Sequence, residues 1–351
     1  MNVGGTKTRT EVFLGLLVIL TLIVTGAVAG YTRGFHKGAG HIPISVTASH
    51  HGRESYAVPK QIPVLCFHGI GTPSSKPGAV DYYNTTLENF RAEMAYLSAH
   101  GYSTITPQQY ANWQHGVRQL LPAKPILLTF DDAFASDAAA TQVLDHYGFR
   151  AVMFVVTGYA NGDFGSRWAN WREIRTMAAE GWMIQLHAGE CGHAYLPDAP
   201  GSCTDGLSRS RITPGDFEYY VWRFGQSRAQ YQARVVNDIT VGQQAIQENL
   251  GLPPGWQSSV FAAPFGAWGN GQDKWLISYW DHTFSTVFVQ HISAQDQAVA
   301  HADGVRYRLE LGYGAQSAAY LASQISSPAF TLAGAGSGVS SGAPSAGAGS
   351  G

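Results

Sequence analysis

Two kinds of hydrophobic segment alternate along the chain, and they predict two kinds of structural element. In the first kind, apolar residues recur every three or four positions, as at Leu87, Phe90, Met94 and Leu97, which is the pattern of a helix with one buried face. In the second kind, apolar residues follow one another, which is typical of a strand buried on both faces. The predicted strands are 62–67, 125–130, 151–156, 182–187 and 258–263, and the predicted helices are 136–147, 171–180 and 229–250, besides the one that begins near Leu87.

The order of these elements predicts the fold class. Strands and helices follow each other in turn, which favours an α/β fold in which helices cover a parallel sheet. Because many strand–helix units fall within one segment, we expect a distorted (β/α) barrel in a single catalytic domain rather than an open sheet. In barrels of this type, the functional residues lie at the carboxyl ends of the strands.

The N-terminal segment predicts an exported protein. The 21 residues from Val12 to Thr32 carry no charge and follow Lys7 and Arg9. As a helix, this segment is long enough to cross about 30 Å of hydrocarbon, with its positive flank on the cytoplasmic side. We therefore expect a single-pass anchor in the cell membrane, with the catalytic domain outside the cytoplasm. The alternative is a signal peptide cleaved after Ala29, which would give a secreted protein.

The composition divides the chain into four parts. Residues 1–32 are the expected anchor, and the polar residues 33–60 are an expected extracytoplasmic stalk. The folded domain is expected at 61–327. Residues 328–351 are rich in Gly, Ser and Ala, and a segment of this kind buries too little apolar surface to become ordered, so we expect a flexible tail.

Charge and cysteine content exclude several classes of protein. The formal net charge is −2 with no long basic run, so we expect no nucleic-acid partner. The chain has 3 cysteines, which excludes a disulfide-dense mini-protein and a four-thiolate zinc site. In an exported chain, Cys191 and Cys203 are expected to form a disulfide, and two unpaired thiols are the alternative.

Titratable residues follow several of the predicted strands. His68 follows the first strand, Asp131 and Asp132 follow the second, and His187 ends the fourth, with His193 six residues further on. The barrel would bring these residues together, because all of them stand at the carboxyl ends of strands.

This set of residues can bind a metal. Asp132, His187 and His193 offer one oxygen and two nitrogen ligands, and three protein ligands with an open fourth position are the pattern of a catalytic zinc site. A metal-bound water would lose its proton more easily, and Asp131 would serve as the general base toward it. The alternative is structural: both aspartates would cap the helix that begins near Ser136, and the histidines would be ordinary loop residues.

Several segments, taken in order, resemble those of the polysaccharide deacetylases, the NodB-homology group or carbohydrate esterase family 4. The run KPILLTFDDAFASD resembles their aspartate motif, IPVLCFHGI resembles a strand that ends in an aromatic residue and a His, and VFAAPFGAWGN resembles their Pro-aromatic-Gly motif. The resemblance covers about 62–326. It is greatest to the branch that deacetylates extracellular poly-N-acetylglucosamine.

The resemblance implies a role for each candidate residue. Asp131 matches the general base, and Asp132, His187 and His193 match the metal ligands. The backbone N–H of Phe265 matches the group that helps to hold the oxyanion, and amide hydrolysis needs such a group.

His68 matches a His that is a candidate general acid toward the departing amine in this branch. An acid is needed because the amine nitrogen must take up a proton as the amide bond breaks.

The sequence departs from the family pattern at two places. Ala133 stands where the family usually has Gly after the aspartate pair. The second motif reads HAGECGH, with Ala188 in place of a hydroxyl residue and a longer spacing before His193. The longer loop must bulge to bring both histidines to one metal, and Glu190 could replace a ligand.

The sequence therefore predicts a membrane-anchored polysaccharide deacetylase that uses a divalent metal, most simply Zn²⁺. It would remove N-acetyl groups from an extracellular amino-sugar polymer of the N-acetylglucosamine type, with Asp131 as the base. Two alternatives stay open: an O-acetyl esterase acting on another polysaccharide, and a catalytically inactive carbohydrate-binding relative.

Overall fold

A computed structural model gives the structure of the folded domain. It describes residues 62–76, 80–162, 165–189, 227–264, 273–290, 305–311 and 318–325, together with Pro59. The strands in these ranges are β1 (Val64–Phe67), β2 (Ser103–Thr104), β3 (Pro125–Phe130), β4 (Val152–Val156), β5 (Met183–Ala188), β6 (Val260–Ala262), β7 (Thr286–Gln290) and β8 (Val305–Glu310).

The strands form a parallel barrel. From β3 to β8 each strand pairs with the next one, and β1 pairs with both β3 and β8, so the hydrogen-bonded neighbours run from β1 through β3 to β8 and back to β1. The short β2 pairs with the first residues of β3. The predicted distorted (β/α) barrel is confirmed.

Helices connect most of the strands. They are α1 (Leu87–Ala99), α2 (Pro107–Gln114), α3 (Ala138–Tyr147), α4 (Thr157–Ala160), α5 (Trp171–Ala179), α6 (Arg228–Asn249), α7 (Lys274–Thr283) and α8 (Ala318–Ile325), with 3₁₀ turns at Val80–Tyr83 and Ala135–Asp137. Within these ranges, no helix combines the length and the hydropathy needed to cross a membrane.

Three of the helices begin at a reciprocal cap. The side chain of the capping residue accepts a hydrogen bond from a backbone N–H three residues on, and the side chain there accepts one in return. The pairs are Thr106 with Gln109, Asn170 with Glu173, and Ser227 with Gln230.

Alternate residues of each strand pack on opposite sides of the barrel wall, as a side-chain period of two requires. In β3, Leu128 and Phe130 pack with the residues of the surrounding helices. Leu127 packs with Phe154 and Phe288 from other strands, inside the barrel. By the same alternation, Asp131, which directly follows β3, lies on the inner side of the barrel with Leu127.

The strands and helices predicted from the hydrophobic pattern are present, with ends within two residues of the predicted ones. The pattern did not predict β2, β7, β8, α2, α4, α7 or α8. Other predictions concern residues outside the described ranges: the anchor at 1–32, the tail at 328–351, and the disulfide between Cys191 and Cys203.

Candidate active site

The first and third strands bring His68 and Asp131 together at the mouth of the barrel. β1 and β3 are paired in register, with Phe67 opposite Phe130, and the backbone N–H of Asp131 donates to the carbonyl of Phe67 over 2.9 Å. His68, the residue that directly follows β1, is therefore a neighbour of Asp131. Potential ligand atoms of Cys66, His68 and Asp131 all lie within 4.8 Å of one another.

Asp131 forms a buried, bidentate ion pair with Arg308 from β8. The two guanidinium nitrogens lie 2.6 Å from the two carboxylate oxygens, and both side chains are at most 1% exposed. Burial is the largest single effect and by itself would raise the pKa of Asp131, but the charge and hydrogen bonds of Arg308, together with the nearby histidines, outweigh it, and the pKa is lowered. Asp131 is thus an ionised carboxylate of fixed orientation.

Arg308 is itself held by its surroundings inside the barrel. It donates to the hydroxyl of Thr129 over 3.2 Å. Its guanidinium carbon lies 5.5 Å from the ring centre of Phe154 and 5.9 Å from that of Phe288, which is within the range of a cation–π interaction. The guanidinium therefore cannot turn away from Asp131 without losing other contacts.

His187 is directed into the site by a β-bulge. Val155 pairs with Leu186, whereas Val156 pairs with Ala188, so His187 is the extra residue on β5. Its Nδ1 lies 2.7 Å from the carbonyl oxygen of Ala262. A carbonyl oxygen only accepts, so Nδ1 carries the proton and Nε2 of the neutral ring presents its lone pair to the site.

The lone pair of His187 faces the two aspartates. Its Nε2 lies 3.4 Å from Oδ1 of Asp132 and 4.0 Å from Oδ2 of Asp131. Burial would lower the pKa of His187, but the charges of Asp131 and Asp132, the hydrogen bond that a protonated Nε2 would donate to Asp132 and the bond to Ala262 together outweigh burial, and the pKa is raised. The histidine thus lies in a negative environment, which attracts a proton or a metal cation.

The aspartate pair is followed by a tight left-handed turn. Asp132 has φ 72° and Ala133 has φ 57°, a region that residues other than Gly rarely adopt. This explains why the family resemblance leads one to expect Gly after the aspartates. The turn is kept in place by the carbonyl of Ala133, which accepts from the N–H of Ala169 over 2.8 Å.

The aspartates do not act as helix caps. The 3₁₀ turn at Ala135–Asp137 is preceded by Phe134, and α3 is preceded by Asp137, and neither has a side-chain capping hydrogen bond. Asp137 is fully buried, and burial together with the charge of Asp132 raises its pKa well above the ordinary value. The structural alternative for Asp131 and Asp132 is therefore not observed.

Two groups of side chains could hold a metal, and the pair of Asp132 and His187 fits better. Ligands bonded at about 2.0–2.1 Å to a tetrahedral ion lie about 3.4 Å apart, which is the distance between their facing atoms. The other group consists of Cys66, His68 and Asp131. A ligating thiol must be ionised, but burial raises the pKa of the Cys66 thiol well above its usual value, so Cys66 is a poor ligand. Both oxygens of Asp131 are also engaged by Arg308.

The remaining predicted site residues lie outside the described ranges. These are the third ligand His193, its possible replacement Glu190, and Phe265 with its backbone N–H. Their roles stay predictions. The described residues His68, Asp131, Asp132 and His187 meet at one end of the barrel, as the sequence predicted.

Sequence reasoning missed Arg308. In β8 it alternates with Tyr307 and Leu309, which is the pattern of a strand with one solvated face. Arg308 is instead 1% exposed. One signal was available in the sequence. Asp131 was expected at the buried end of a strand, where a carboxylate needs a partner, and Arg308 is a positive residue in a late strand of the same barrel.

The described fold and site define a class of parallel (β/α) barrels with paired carboxylates and a histidine at the strand ends. Residues 119–276, which contain Asp131, Asp132 and His187, match the family model described as polysaccharide deacetylase. This segment of the chain is thus a polysaccharide deacetylase domain, which is a type of hydrolase.

One curated relative is similar to this chain in sequence, and two solved structures are similar to it in fold. The Bacillus subtilis (strain 168) protein YxkH, whose name makes it a candidate polysaccharide deacetylase, is 28% identical over 130 residues, which are 37% of this chain and 43% of the relative. The de-N-acetylase from Aggregatibacter actinomycetemcomitans has a TM-score of 0.55 at 16% identity, covering 75% of this chain and 98% of that one. The deacetylase PplD of Streptococcus pyogenes, solved in complex with acetate, has a TM-score of 0.51 at 16% identity, covering 75% and 96%.

Proposed function

We propose that the protein hydrolyses the N-acetyl groups of an extracellular amino-sugar polymer of the N-acetylglucosamine type, with the help of a divalent metal. The observation that carries this proposal is the buried Asp131, kept ionised by Arg308 and placed 4.0 Å from the His187 atom that faces Asp132. One carboxylate is thus held apart as a base, while its neighbour is directed at a metal-ligating nitrogen.

Asp131 is the general base of this proposal. Amide hydrolysis requires a group that takes the proton of the attacking water. A carboxylate has about four lone pairs that can accept hydrogen bonds. Arg308 occupies one lone pair on each oxygen of Asp131, so the remaining lone pairs can accept the proton of the water. The lowered pKa keeps Asp131 ionised at neutral pH, but it also makes the carboxylate a weaker base. Its fixed orientation toward the water compensates for this weaker basicity.

His68 is the proposed acid on the other side of the base. It follows β1, lies beside Asp131, and its ring centre lies 5.3 Å from that of Tyr83. It would give its proton to the amine nitrogen as the bond to the acetyl carbon breaks. Acetate and a free amine on the sugar are the products.

The metal would be held by Asp132, His187 and, in our proposal, His193. A bound divalent cation supplies a Lewis acid and lowers the pKa of a coordinated water. Zn²⁺ suits a set of one oxygen and two imidazole nitrogens. The hydrogen bond from His187 Nδ1 to the carbonyl of Ala262 fixes the tautomer that such a ligand needs.

The proposed location of the reaction is outside the cytoplasm, with the segment 12–32 as a membrane anchor. The support for it is the uncharged length of this segment and its positive flank.

Acetate release from an N-acetylglucosamine oligomer tests the function. We expect the purified full chain to release acetate, and Asp131→Asn to reduce the rate by about 10²–10⁴, the usual contribution of a general base. Asp145→Asn is the matched control, because Asp145 is an exposed carboxylate paired with Arg150, and it should leave the rate unchanged.

The other results of this assay have defined meanings. Release from an O-acetylated polysaccharide alone would replace the amide with an ester as the substrate. Binding of the oligomer without acetate release from either polymer would favour a carbohydrate-binding relative. An Asp131→Asn variant as active as the Asp145→Asn control would remove Asp131 as the base.

A further inference from the structure

The chain that follows His187 is held in place by helix α6, and one residue of that helix has no role in the site described so far. Asp238 lies in the middle of α6 and is 3% exposed. Its Oδ2 accepts a hydrogen bond of 2.9 Å from the backbone N–H of Gly189. Gly189 is the second residue after His187, at the point where β5 ends.

Both backbone groups of Gly189 are engaged. While its N–H donates to Asp238, its carbonyl accepts from the N–H of Gly158 in α4 over 3.3 Å. The neighbouring Ala188 has no polar side chain that could help to fix the turn. The path of the chain out of β5 is thus set by two other elements, of which only α6 contributes a charged side chain.

The contact between α6 and this turn is a contact between backbones. A Cβ atom on Gly189 would lie 2.1 Å from the carbonyl oxygen of Asp238, and one on Gly242 would lie 2.9 Å from the Cα of Gly189. Real Cβ atoms do not approach so closely, so two glycines are needed for the fit. A turn packed this tightly follows any displacement of the helix residue that holds it.

We infer that Asp238 is a positioning residue of the metal site. It fixes Gly189, and through Gly189 the bulge that directs His187 at Asp132. A charge-assisted hydrogen bond from a buried carboxylate to a backbone N–H is stronger than a neutral one. Groups that are hydrogen-bonded to a metal ligand change metal affinity by about 10–100-fold when they are removed, and Asp238 acts on the ligand His187 through the backbone of Gly189. The inference rests on the proposed function, since it presupposes the metal.

Zinc affinity tests this inference without reference to catalysis. The chelator-treated full chain is titrated with Zn²⁺ against a chromogenic chelator, and its unfolding in urea is measured in parallel. We expect Asp238→Asn to weaken zinc binding at least tenfold. The matched control is Asp273→Asn, since Asp273 is 11% exposed and also accepts from backbone N–H groups, those of Trp275 and Leu276. This control should leave zinc affinity unchanged.

The outcomes separate the inference from the proposed function. Zinc affinity of Asp238→Asn equal to that of Asp273→Asn would overturn the positioning role and leave the metal site standing. A wild-type chain that does not bind zinc would overturn the proposed function, and this inference with it. Should Asp238→Asn fail to fold, Asp238→Glu takes its place: it keeps the charge but displaces the acceptor by one methylene, and the same results decide.

Discussion

At the scale of single residues, the ion pair of Asp131 and Arg308 links the stability of the protein to its chemistry. Removing one partner of a buried pair leaves an uncompensated charge, which costs about 3–5 kcal/mol. We therefore expect Arg308→Ala to lower the free energy of unfolding by about this amount and to reduce acetate release. Urea denaturation and the acetate assay measure the two effects.

The exposed pair of Arg150 and Asp145 is the control for this prediction. Its N–O distance is also 2.6 Å, but the side chains are 29% and 52% exposed. Because solvent screens an exposed pair, Arg150→Ala should cost only about 0–1 kcal/mol. Equal losses in the two variants would mean that Arg308 does not hold a buried charge.

Ala133 is the second residue whose local conformation can be tested. At φ 57° its left-handed backbone costs about 1–2 kcal/mol, and Gly would relieve this strain. Against this, Gly loses a buried methyl group, about 0.8 kcal/mol, and about 0.4–1 kcal/mol through the entropy of the unfolded chain. We expect Ala133→Gly to be close to neutral in urea unfolding.

Ala140→Gly makes the same change inside helix α3, where no strain is relieved. Ala140 is fully buried, so helix propensity and lost burial add up to about 1–2 kcal/mol of destabilisation. If the two variants are destabilised equally, Ala133 does not have the left-handed backbone conformation described above.

At the scale of elements, helix α1 carries a buried acid on the face that packs against the barrel. Glu93 is 0% exposed, and its neighbours on that face, Phe90, Met94 and Leu97, are apolar. Burial raises the pKa of Glu93 to about 8. In the unfolded chain the pKa of a Glu is about 4.3, so the folded state favours the protonated form.

This raised pKa predicts how stability depends on pH. The unfolded chain releases the proton of Glu93 at a lower pH than the folded one, so stability is lost as the pH rises from about 4.5 through about 8. Glu93→Gln has no proton to lose, and its free energy of unfolding should fall less over this range. Urea unfolding at pH 5 and pH 8 compares the two proteins.

Glu88→Gln, on the exposed side of the same helix, provides the reference and should keep the slope of the wild type. A Glu93→Gln variant with that same slope would mean that Glu93 is ionised in the folded protein.

Strands were predictable from the sequence where both of their faces are buried. β3 and β4 are buried on both faces and read as continuous apolar runs, so their positions were found. β8 alternates between apolar and charged residues because Arg308 serves an ion pair inside the barrel, and no local pattern distinguishes such a face from a solvated one. The bulge at His187 was also beyond reach, because it arises from the register between β4 and β5.

The candidate site was predictable in its parts and not in its arrangement. Asp131, Asp132, His187 and His68 stand directly after strands, and the barrel rule brings such residues together. What the sequence left out is Arg308, which fixes the base, since it contacts Asp131 across 177 positions of the chain. Contacts of that kind are set by the closure of the barrel.

At the scale of the whole molecule, the proposed anchor can be tested by fractionation. We expect the full chain to sediment with membranes and to keep an intact N-terminus, because the proposal leaves the uncharged segment 12–32 uncleaved as an anchor. Deleting 1–32 should leave the protein in the cytoplasm. Recovery of the wild type from the medium with a new N-terminus at Gly30 would mean that the segment is a cleaved signal peptide.

The central claim is that one end of the barrel holds a metal through Asp132 and His187 and hydrolyses acetyl groups there. The most direct measurement counts bound zinc and released acetate in the same sample of the full chain, first stripped of metal and then reconstituted. We predict about one zinc per chain, with acetate release only after reconstitution. Asp132→Asn should lose both zinc and activity, while Cys66→Ala should keep the zinc. Zinc that survives Asp132→Asn but is lost with Cys66→Ala, or acetate release by the stripped protein, would contradict the account.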